Sequence, residues 1–286
     1  MNRIAVAILN YNGAELLPQF LPSVVRYSEG AEVVLIDNCS TDGSADWAQQ
    51  QFPSVRVIRL GANLGYCSGY NEGLKSITAD IVVLLNSDVE VTQGWLEQPV
   101  ELFNEDVRLF SVQPKILRHQ DKGSFDYAGA GGGYIDMLGY PYCRGRILDK
   151  LERDHGQYND VKEVFWASGA CMFVNLRLFR DLGGFESSFF AHMEEIDLCW
   201  RAARNGYHHL YCGDSAVYHL GGGTLPVASP RKTYLNFRNN LSLLMRNVGT
   251  MRLIGLLPLR FLLDLLASAV FMVKGNYASA FSVIRA

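Results

Sequence analysis

Val33-Val34-Leu35-Ile36-Asp37-Asn38-Cys39-Ser40-Thr41-Asp42-Gly43-Ser44 is the stretch that decides how the chain folds. Four consecutive aliphatic residues, with no polar alternation, read as a strand buried on both faces. The run stops at Asp37, and the Asn, Ser, Asp and Gly that follow are the residue types that favour turns. From Ser44 the spacing becomes helical, with Asp42 or Ser44 at the cap. The same strand, polar turn and helix recur on either side. Ile4–Leu9, Val55–Leu60 and Ile81–Leu85 are further runs of strand length. Ala14–Tyr27, Ser44–Gln51 and Cys67–Ile77 carry helical spacing. The alternation predicts an α/β fold: a Rossmann-like, mostly parallel sheet flanked by helices.

Ligands of such sheets sit beyond the carboxyl ends of the strands, so the post-strand loops hold the candidate site. These are Asn10-Tyr11-Asn12-Gly13, the loop after Asp37, Gly61-Ala62-Asn63-Leu64-Gly65-Tyr66, and Asn86-Ser87-Asp88. None has the glycine spacing of a dinucleotide site or the G-K-[ST] of a phosphate loop. Asp88 has the right chemistry for a hard cation such as Mg²⁺ or Mn²⁺ that also holds substrate phosphates; the same residues equally suit a plain turn. Asp37 is placed to accept from a nucleobase N–H or a ribose hydroxyl.

A second acidic group lies in Phe189-Phe190-Ala191-His192-Met193-Glu194-Glu195-Ile196-Asp197. Acids in a first helical turn are stabilised by the helix dipole, which accounts for one or two of the three. Glu194 and Asp197 share a face, and Glu195 points elsewhere; one carboxylate aimed into a cleft serves as a general base. His219 ends an apparent strand ahead of the glycines at 221–223 and is a candidate metal or diphosphate ligand. Lys232, Tyr234, Phe237, Arg238 and Asn239 form a basic-aromatic helix start. From Gln113 to about Glu163 the chain is Gly- and Tyr-rich, and it reads as a long excursion over the site.

With 286 residues and a net charge of −3 the chain can bury a sizeable core, and it carries no basic footprint for nucleic acid. From Gly221 onward, however, eight Lys and Arg face a single acid, Asp264. Six cysteines without paired spacing fit a reducing compartment better than a disulfide framework. Met1 leads straight into the first strand without a leader pattern, so a cytoplasmic location is expected. Leu253–Val273 is apolar but interrupted by Pro258, Arg260 and Asp264, a poor bilayer span. It reads as a helix lying in the membrane interface, a packed C-terminal helix, or a homodimer contact.

Together these segments resemble the inverting family 2 glycosyltransferases of GT-A fold, the bacterial rhamnosyltransferase-like branch in particular. The matching pieces run in order over roughly residues 3–245: N-Y-N-G at 10–13, V-V-L-I-D-N-C-S-T-D-G-S at 33–44, G-A-N-L-G-Y at 61–66, L-L-N-S-D at 84–88, W-A-S-G-A at 166–170, G-G-F at 183–185, M-E-E-I-D-L-C-W-R at 193–201 and H-L-G-G-G at 219–223. The resemblance implies a GT-A domain over 1–245 and an apolar, basic helical tail over 246–286. It implies a nucleotide diphosphate sugar, rhamnose or a hexose, held by Asn10, Tyr11, Asn12, Asp37, Asn38, Asn63, Gly65, Asn86 and Ser87. A divalent cation, Mg²⁺ or Mn²⁺, would sit on Asp88 and His219, although Asn86 stands where the family's first metal-binding acid is found. Glu195 would be the base, with Glu194 as the alternative. Trp166, Ser168, Gly169 and Asp197 would form the acceptor side. The acceptor would be a saccharide, free or lipid-linked, in cell-surface polysaccharide synthesis, with the chain peripheral at the inner face of the plasma membrane. Two other readings compete. A nucleotidyltransferase would carry a basic residue after strand one, which N-Y-N-G lacks. A non-catalytic carbohydrate- or nucleotide-binding scaffold would have lost Glu195, Asp88 or His219.

Overall fold

The computed structural model describes residues 2–147, 150–221 and 229–286. Its first half is β1 (Ile4–Asn10), α1 (Leu17–Tyr27), β2 (Ala31–Asp37), α2 (Ser44–Gln51), β3 (Arg56–Arg59), α3 (Gly65–Gly73) and β4 (Ile81–Asn86). These strands coincide with the four predicted runs to within a residue or so. Then come β5 (Val89–Val91), α4 (Glu97–Glu105), β6 (Leu109–Arg118), β7 (Gly133–Ile135), β8 (Pro141–Cys143), β9 (Arg146–Ile147), β10 (Lys150–Leu151), β11 (Val161–Val164) and β12 (Cys171–Asn175). The chain continues through α5 (Leu176–Asp181), α6 (Glu194–Arg204), β13 (His208–His219), α7 (Pro230–Asn247), α8 (Thr250–Val273) and α9 (Tyr277–Arg285).

The main sheet has the order β11-β13-β6-β12-β4-β1-β2-β3, with β5 beside β13. β1, β2, β3 and β4 are parallel. β12 runs antiparallel between β4 and β6, while β6 and β13 are parallel to each other. The result is a mixed sheet whose parallel half is the part the alternating pattern predicts. Alternate residues of a strand feed opposite faces. Val34 and Ile36 enter the core beneath α3, α5 and α6, and Val33 and Leu35 enter the one beneath α1 and α2. Burial on both faces is why these strands are unbroken aliphatic runs.

Register fixes where the site opens. Asn10 pairs with Asp37, Leu9 with Asn86, and Asp37 with Arg59. The polar residues that end β1, β2 and β4 therefore emerge at one level of one edge.

The middle of the chain corrects an expectation. Gln113–Arg118 is not part of an excursion: it is the second half of β6, a buried strand deep in the sheet. Beyond it β7 pairs antiparallel with β8, and β9 with β10, in two small two-stranded sheets. At the start of α2 neither Asp42 nor Ser44 is the cap residue. Gly43, in the left-handed region at φ 77°, holds that position. Asp42 accepts instead from the Ser44 amide and from the Ala14 amide, tying β2's loop to β1's.

Candidate active site

Asn10 is a hub. Fully buried, it donates through Nδ2 to Asp37 Oδ1 (3.2 Å), Ser40 Oγ (3.1 Å) and Ser44 Oγ (2.9 Å). Asn38 has a similar role one loop along. Its amide donates to Asn63 Oδ1 (3.1 Å) and the Gly65 carbonyl (3.0 Å), and its Oδ1 accepts from the Leu64 amide (2.9 Å). Both residues were expected to touch the donor; in the structure their side chains are buried ties between loops. The side chains left facing outward at this edge are Tyr11, Asn12 and Asn63, with Asn86 and Ser87 half-buried. Asp37 is buried at the end of β2, one Oδ on Asn10 and the other accepting from the Ser40 amide. Gly65, at φ +74°, leaves room for Phe190, whose ring would stand 2.8 Å from a Cβ placed there.

At the neighbouring strand ends lies a row of three titratable side chains. His219, at the end of β13, has Nε2 3.3 Å from Asp88 Oδ1 and Nδ1 3.1 Å from Asp126 Oδ2. Leu220 N–H donates to the Asp88 carbonyl, which locks the two segments together (3.0 Å). Burial opposes charge on His219, but hydrogen bonds to Asp126 and Asp88 outweigh it and push its pKa up to about 10. Burial would likewise raise the Asp88 carboxyl; the hydrogen bond and charge of His219 more than offset this and hold it low.

The two carboxylates flank opposite sides of one imidazole. Among the described residues no three such side chains converge as a ready-made metal cage. Two protein ligands nevertheless suit Mg²⁺ or Mn²⁺, whose remaining coordination comes from water and substrate phosphates. Asp88 Oδ1 and His219 Nε2 face one another, and they would hold the cation once it displaces the Nε2 proton that the two carboxylates keep in place. Asp126 would fix the ring from its far side, as orienting carboxylates do. Asp126 was missed by sequence reasoning: it lies between Phe125 and Tyr127 in a segment with neither period nor motif. Of the glycine loop after His219, residues 222–228 lie outside the described residues.

The acidic helix start is reached along the sheet edge. The Asn86 amide donates to the Ala170 carbonyl (3.0 Å), and the adjacent Gly169 lies beside Glu195, whose Cβ would be 4.0 Å from a Cβ at that glycine. Tyr66 Oη donates to the Gly169 carbonyl (3.0 Å). Three non-glycine residues ahead of α6, Phe190, His192 and Met193, have φ of 65°, 69° and 71°. Left-handed backbone is costly for side-chain-bearing residues and tends to persist at functional sites. The strained turn is held by Asn239, which donates to the carbonyls of Phe189, Ala191 and His192 (3.0, 2.8 and 2.7 Å).

Glu194 and Glu195 each have an Oε2 shielded from water without a hydrogen-bond partner, as has His192 Nε2. Such orphaned polar atoms are rare in folded proteins. Burial raises the Glu195 pKa to about 7, against partial relief from amides at the helix start. Glu194 is more deeply enclosed, and burial together with the Glu195 charge pushes it well above the carboxylate range. Burial and the nearby Lys232 charge push His192 down to about 4.

Asp197 does not join these acids, which corrects its expected place on the acceptor side. Fully buried, it accepts from Arg201 Nε (2.7 Å), Arg246 Nε (3.3 Å) and Asn247 Nδ2 (2.9 Å), and so ties α6 to α7. Trp166 and Ser168 are buried as well. Trp166 Nε1 donates to the Tyr134 carbonyl (2.8 Å), and Ser168 Oγ to that of Ala128 (3.0 Å). They hold the glycine-rich segment 128–134 in place, leaving Gly169 as the residue of that group beside Glu195.

The glycosyl transferase family 2 profile matches residues 5–182 of the chain. An N-acetylglucosaminyl-diphospho-decaprenol L-rhamnosyltransferase of Mycobacterium tuberculosis is 28% identical over 233 residues, covering 76% of this chain and 75% of that one. The low-salt glycan biosynthesis hexosyltransferase Agl10 of Haloferax volcanii is 26% identical, covering 84% and 74%. In fold, the chain is similar to the mannosyltransferase PcManGT of Pyrobaculum calidifontis, solved with GDP-Man and Mn²⁺ (TM-score 0.61, 15% identity, 99% of this chain and 85% of that one). It is also similar to GalNAc-T7, solved with UDP, GalNAc and Mn²⁺ (TM-score 0.63, 17% identity, 86% and 48%). A buried acidic helix start and a His–Asp pair at the carboxyl edge of this sheet are thus joined to a family match over more than half the chain, and the chain belongs to glycosyl transferase family 2.

Proposed function

We propose that the chain carries out inverting transfer of a rhamnosyl or hexosyl group from a nucleoside diphosphate sugar to a hydroxyl of a lipid-linked saccharide. The setting proposed is cell-surface polysaccharide synthesis, at the inner face of the plasma membrane in the reducing compartment that six free cysteines suit. The observation that carries the reading is the Glu195 carboxylate: its Oε2 is shielded and without a partner, its pKa is raised to about 7, and it stands beside Gly169 at the carboxyl edge of the sheet. A base needs a pKa near the working pH and a free oxygen. Glu195 takes the acceptor O–H proton as that oxygen bonds to the anomeric carbon. The bond from that carbon to the diphosphate oxygen breaks in the same step, and the diphosphate leaves with the electron pair. No nucleophilic side chain is needed. Asp88 and His219 would hold a divalent cation, which when bound would offset charge growing on the leaving diphosphate. Tyr11, Asn12 and Asn63 are the outward groups left to read the donor.

The lipid-linked acceptor is supported by the rhamnosyltransferase relative, whose name specifies one. The experiment is calorimetric titration of uridine, deoxythymidine and guanosine diphosphates with and without Mn²⁺, paired with transfer assays. One nucleotide is expected to bind in a metal-dependent manner, and Glu195→Gln to retain that binding while losing transfer. Binding by wild-type protein with no transfer to any lipid-linked acceptor would favour a scaffold.

A further inference from the structure

α8 is built inside out. Its buried positions are Leu256, Arg260, Asp264 and Ser268, one every fourth residue, and three of the four are polar. Its outward side is apolar: Ile254 is 65% exposed, Phe261 64%, Leu262 62% and Leu266 61%; α9 continues that character with Phe281 at 65% and Ile284 at 56%. A helix on a water-facing surface shows the opposite arrangement, with its apolar stripe turned to the core. The charges that interrupt the sequence of α8 do not interrupt its surface, because they are folded away. Arg260, 1% exposed, lies over the Tyr140 ring with its guanidinium carbon 3.8 Å from the centroid and donates to the Leu138 carbonyl (2.8 Å). Asp264 accepts from Tyr140 Oη (3.2 Å).

A contiguous apolar surface of this kind marks an interaction face, and charge identifies the occupant. Between residues 229 and 286 the only acid is Asp264, which is buried. Exposed Arg231, Arg252, Lys274 and Arg285 stand at the end turns of α7, α8 and α9. A second copy would set these cations against one another, whereas anionic headgroups would pair with them.

Depth follows from the contacts. α8 is 24 residues, long and apolar enough to cross a bilayer. Its midpoint, however, is hydrogen-bonded to the β7–β8 turn, and Arg252 at its start donates to the Met137 carbonyl of the same turn (2.9 Å). A helix clasped from Arg252 to Asp264 by the polar turn of a sheet domain cannot be threaded through hydrocarbon. It lies in the plane.

We infer that the outward faces of α8 and α9 form an in-plane docking surface for an anionic phospholipid bilayer. The same hairpin that meets Trp166 at Gly133 reverses at a turn containing Gly139, whose carbonyl accepts from Asn240 of α7 (2.7 Å). α9 packs on α7, with Thr233 Oγ1 3.4 Å from Ser279 Oγ, and α7 in turn holds the strained turn ahead of Glu194. Docking therefore anchors the membrane to the same helix, α7, that holds the turn ahead of the candidate base. This inference shares with the proposed function only its membrane location, and its test reads no turnover.

The test is co-sedimentation of the full chain with phosphatidylcholine vesicles, with and without phosphatidylglycerol. The wild type is expected to pellet with the anionic vesicles and much less with neutral ones. Leu262→Glu/Leu266→Glu/Phe281→Glu alters exposed positions, so it is expected to keep the wild-type unfolding midpoint while partitioning at least about 100-fold less. Should that variant fail to fold, Leu262→Glu alone carries the test, with about a 10-fold loss expected. Equal pelleting of variant and wild type, or no pelleting of wild type, overturns the inference. So does light scattering that finds a wild-type dimer, a monomeric variant and no vesicle binding; a second copy then covers the face.

Discussion

Asp126 Oδ2 lies 3.1 Å from His219 Nδ1, on the side of the ring away from Asp88. A carboxylate in that position fixes the tautomer and orientation of an imidazole that presents its other nitrogen to a ligand. Asp126→Asn is predicted to weaken Mn²⁺-dependent nucleotide binding by about 10–100-fold, and also to lower the unfolding midpoint, because it takes one of two carboxylates from a buried imidazolium. Calorimetry across a Mn²⁺ series checks this, and an unchanged metal dependence would show that the contact has no bearing on the cation.

The second prediction concerns pH. Glu195 must be ionised to accept a proton, and its pKa of about 7 places that ionisation in the working range. The rate is expected to fall about tenfold per unit below pH 7 and to level off above it. A flat profile between pH 5.5 and 8 would point to a base with an ordinary carboxylate pKa.

The same shift has a stability consequence of known sign. The folded-state pKa is raised above the unfolded value of 4.5. The protonated form is therefore the stabilising one, fully present below pH 4.5, and its contribution is lost as pH rises toward 7. Glu195→Gln should raise stability at pH 8 by roughly 1–3 kcal/mol and make little difference at pH 4. Denaturant unfolding at the two pH values measures it. Glu195→Gln is thus expected to abolish turnover while stabilising the fold.

Asp197 is predicted to matter for folding alone. Arg201→Ala leaves a fully buried carboxylate with only Arg246 and Asn247, and loss of a buried ion-pair partner costs about 3–5 kcal/mol. A clear drop in unfolding midpoint, with KM for the acceptor unchanged below that midpoint, is the expected result. A changed acceptor KM with normal stability would restore Asp197 to the acceptor side.

Gly65→Ala probes the strained turn. The new methyl would meet the Phe190 ring at 2.8 Å, at a backbone φ of +74° that disfavours any side chain. Destabilisation of about 1–2 kcal/mol is expected, with a larger fractional loss of kcat than of donor affinity, since Phe190 leads into Glu194 and Glu195. Pulse proteolysis and steady-state kinetics together decide it.

The parallel half of the fold was legible because Val33–Ile36 and Ile81–Leu85 must be aliphatic on both faces, a pattern few other elements share. β6 was not, although it is as deeply buried. Gln113, Pro114 and Lys115 sit in its middle and look like loop residues until their partners are known. Gln113 donates to the Gly129 carbonyl and Lys115 to Asp154, contacts 16 and 39 residues away that no local window contains. The candidate base was legible from the run of acids at 194–197, but the division of labour among them was not. Asp197 turns to arginines contributed by its own helix and by α7, and only the tertiary fold brings in the second. In the tail, counting charges along the chain suggested an interrupted span. The helical fourfold spacing of residues 256, 260, 264 and 268 collects the polar ones on one line and removes them from the surface.

The hub at Asn10 has a consequence for how this molecule can change. Asn10, Asn38 and Asp42 are engaged in joining loop to loop, so substitutions there disturb the frame. Asn12 and Asn63 are half in that frame, since their Oδ1 atoms accept from the Thr41 amide and from Asn38 and the Gly65 amide. Tyr11, 44% exposed, is the side chain that projects freely from it. On the proposed function, preference for one donor over another can therefore drift, in evolution or in directed libraries, first at Tyr11 while the frame beneath stays constant.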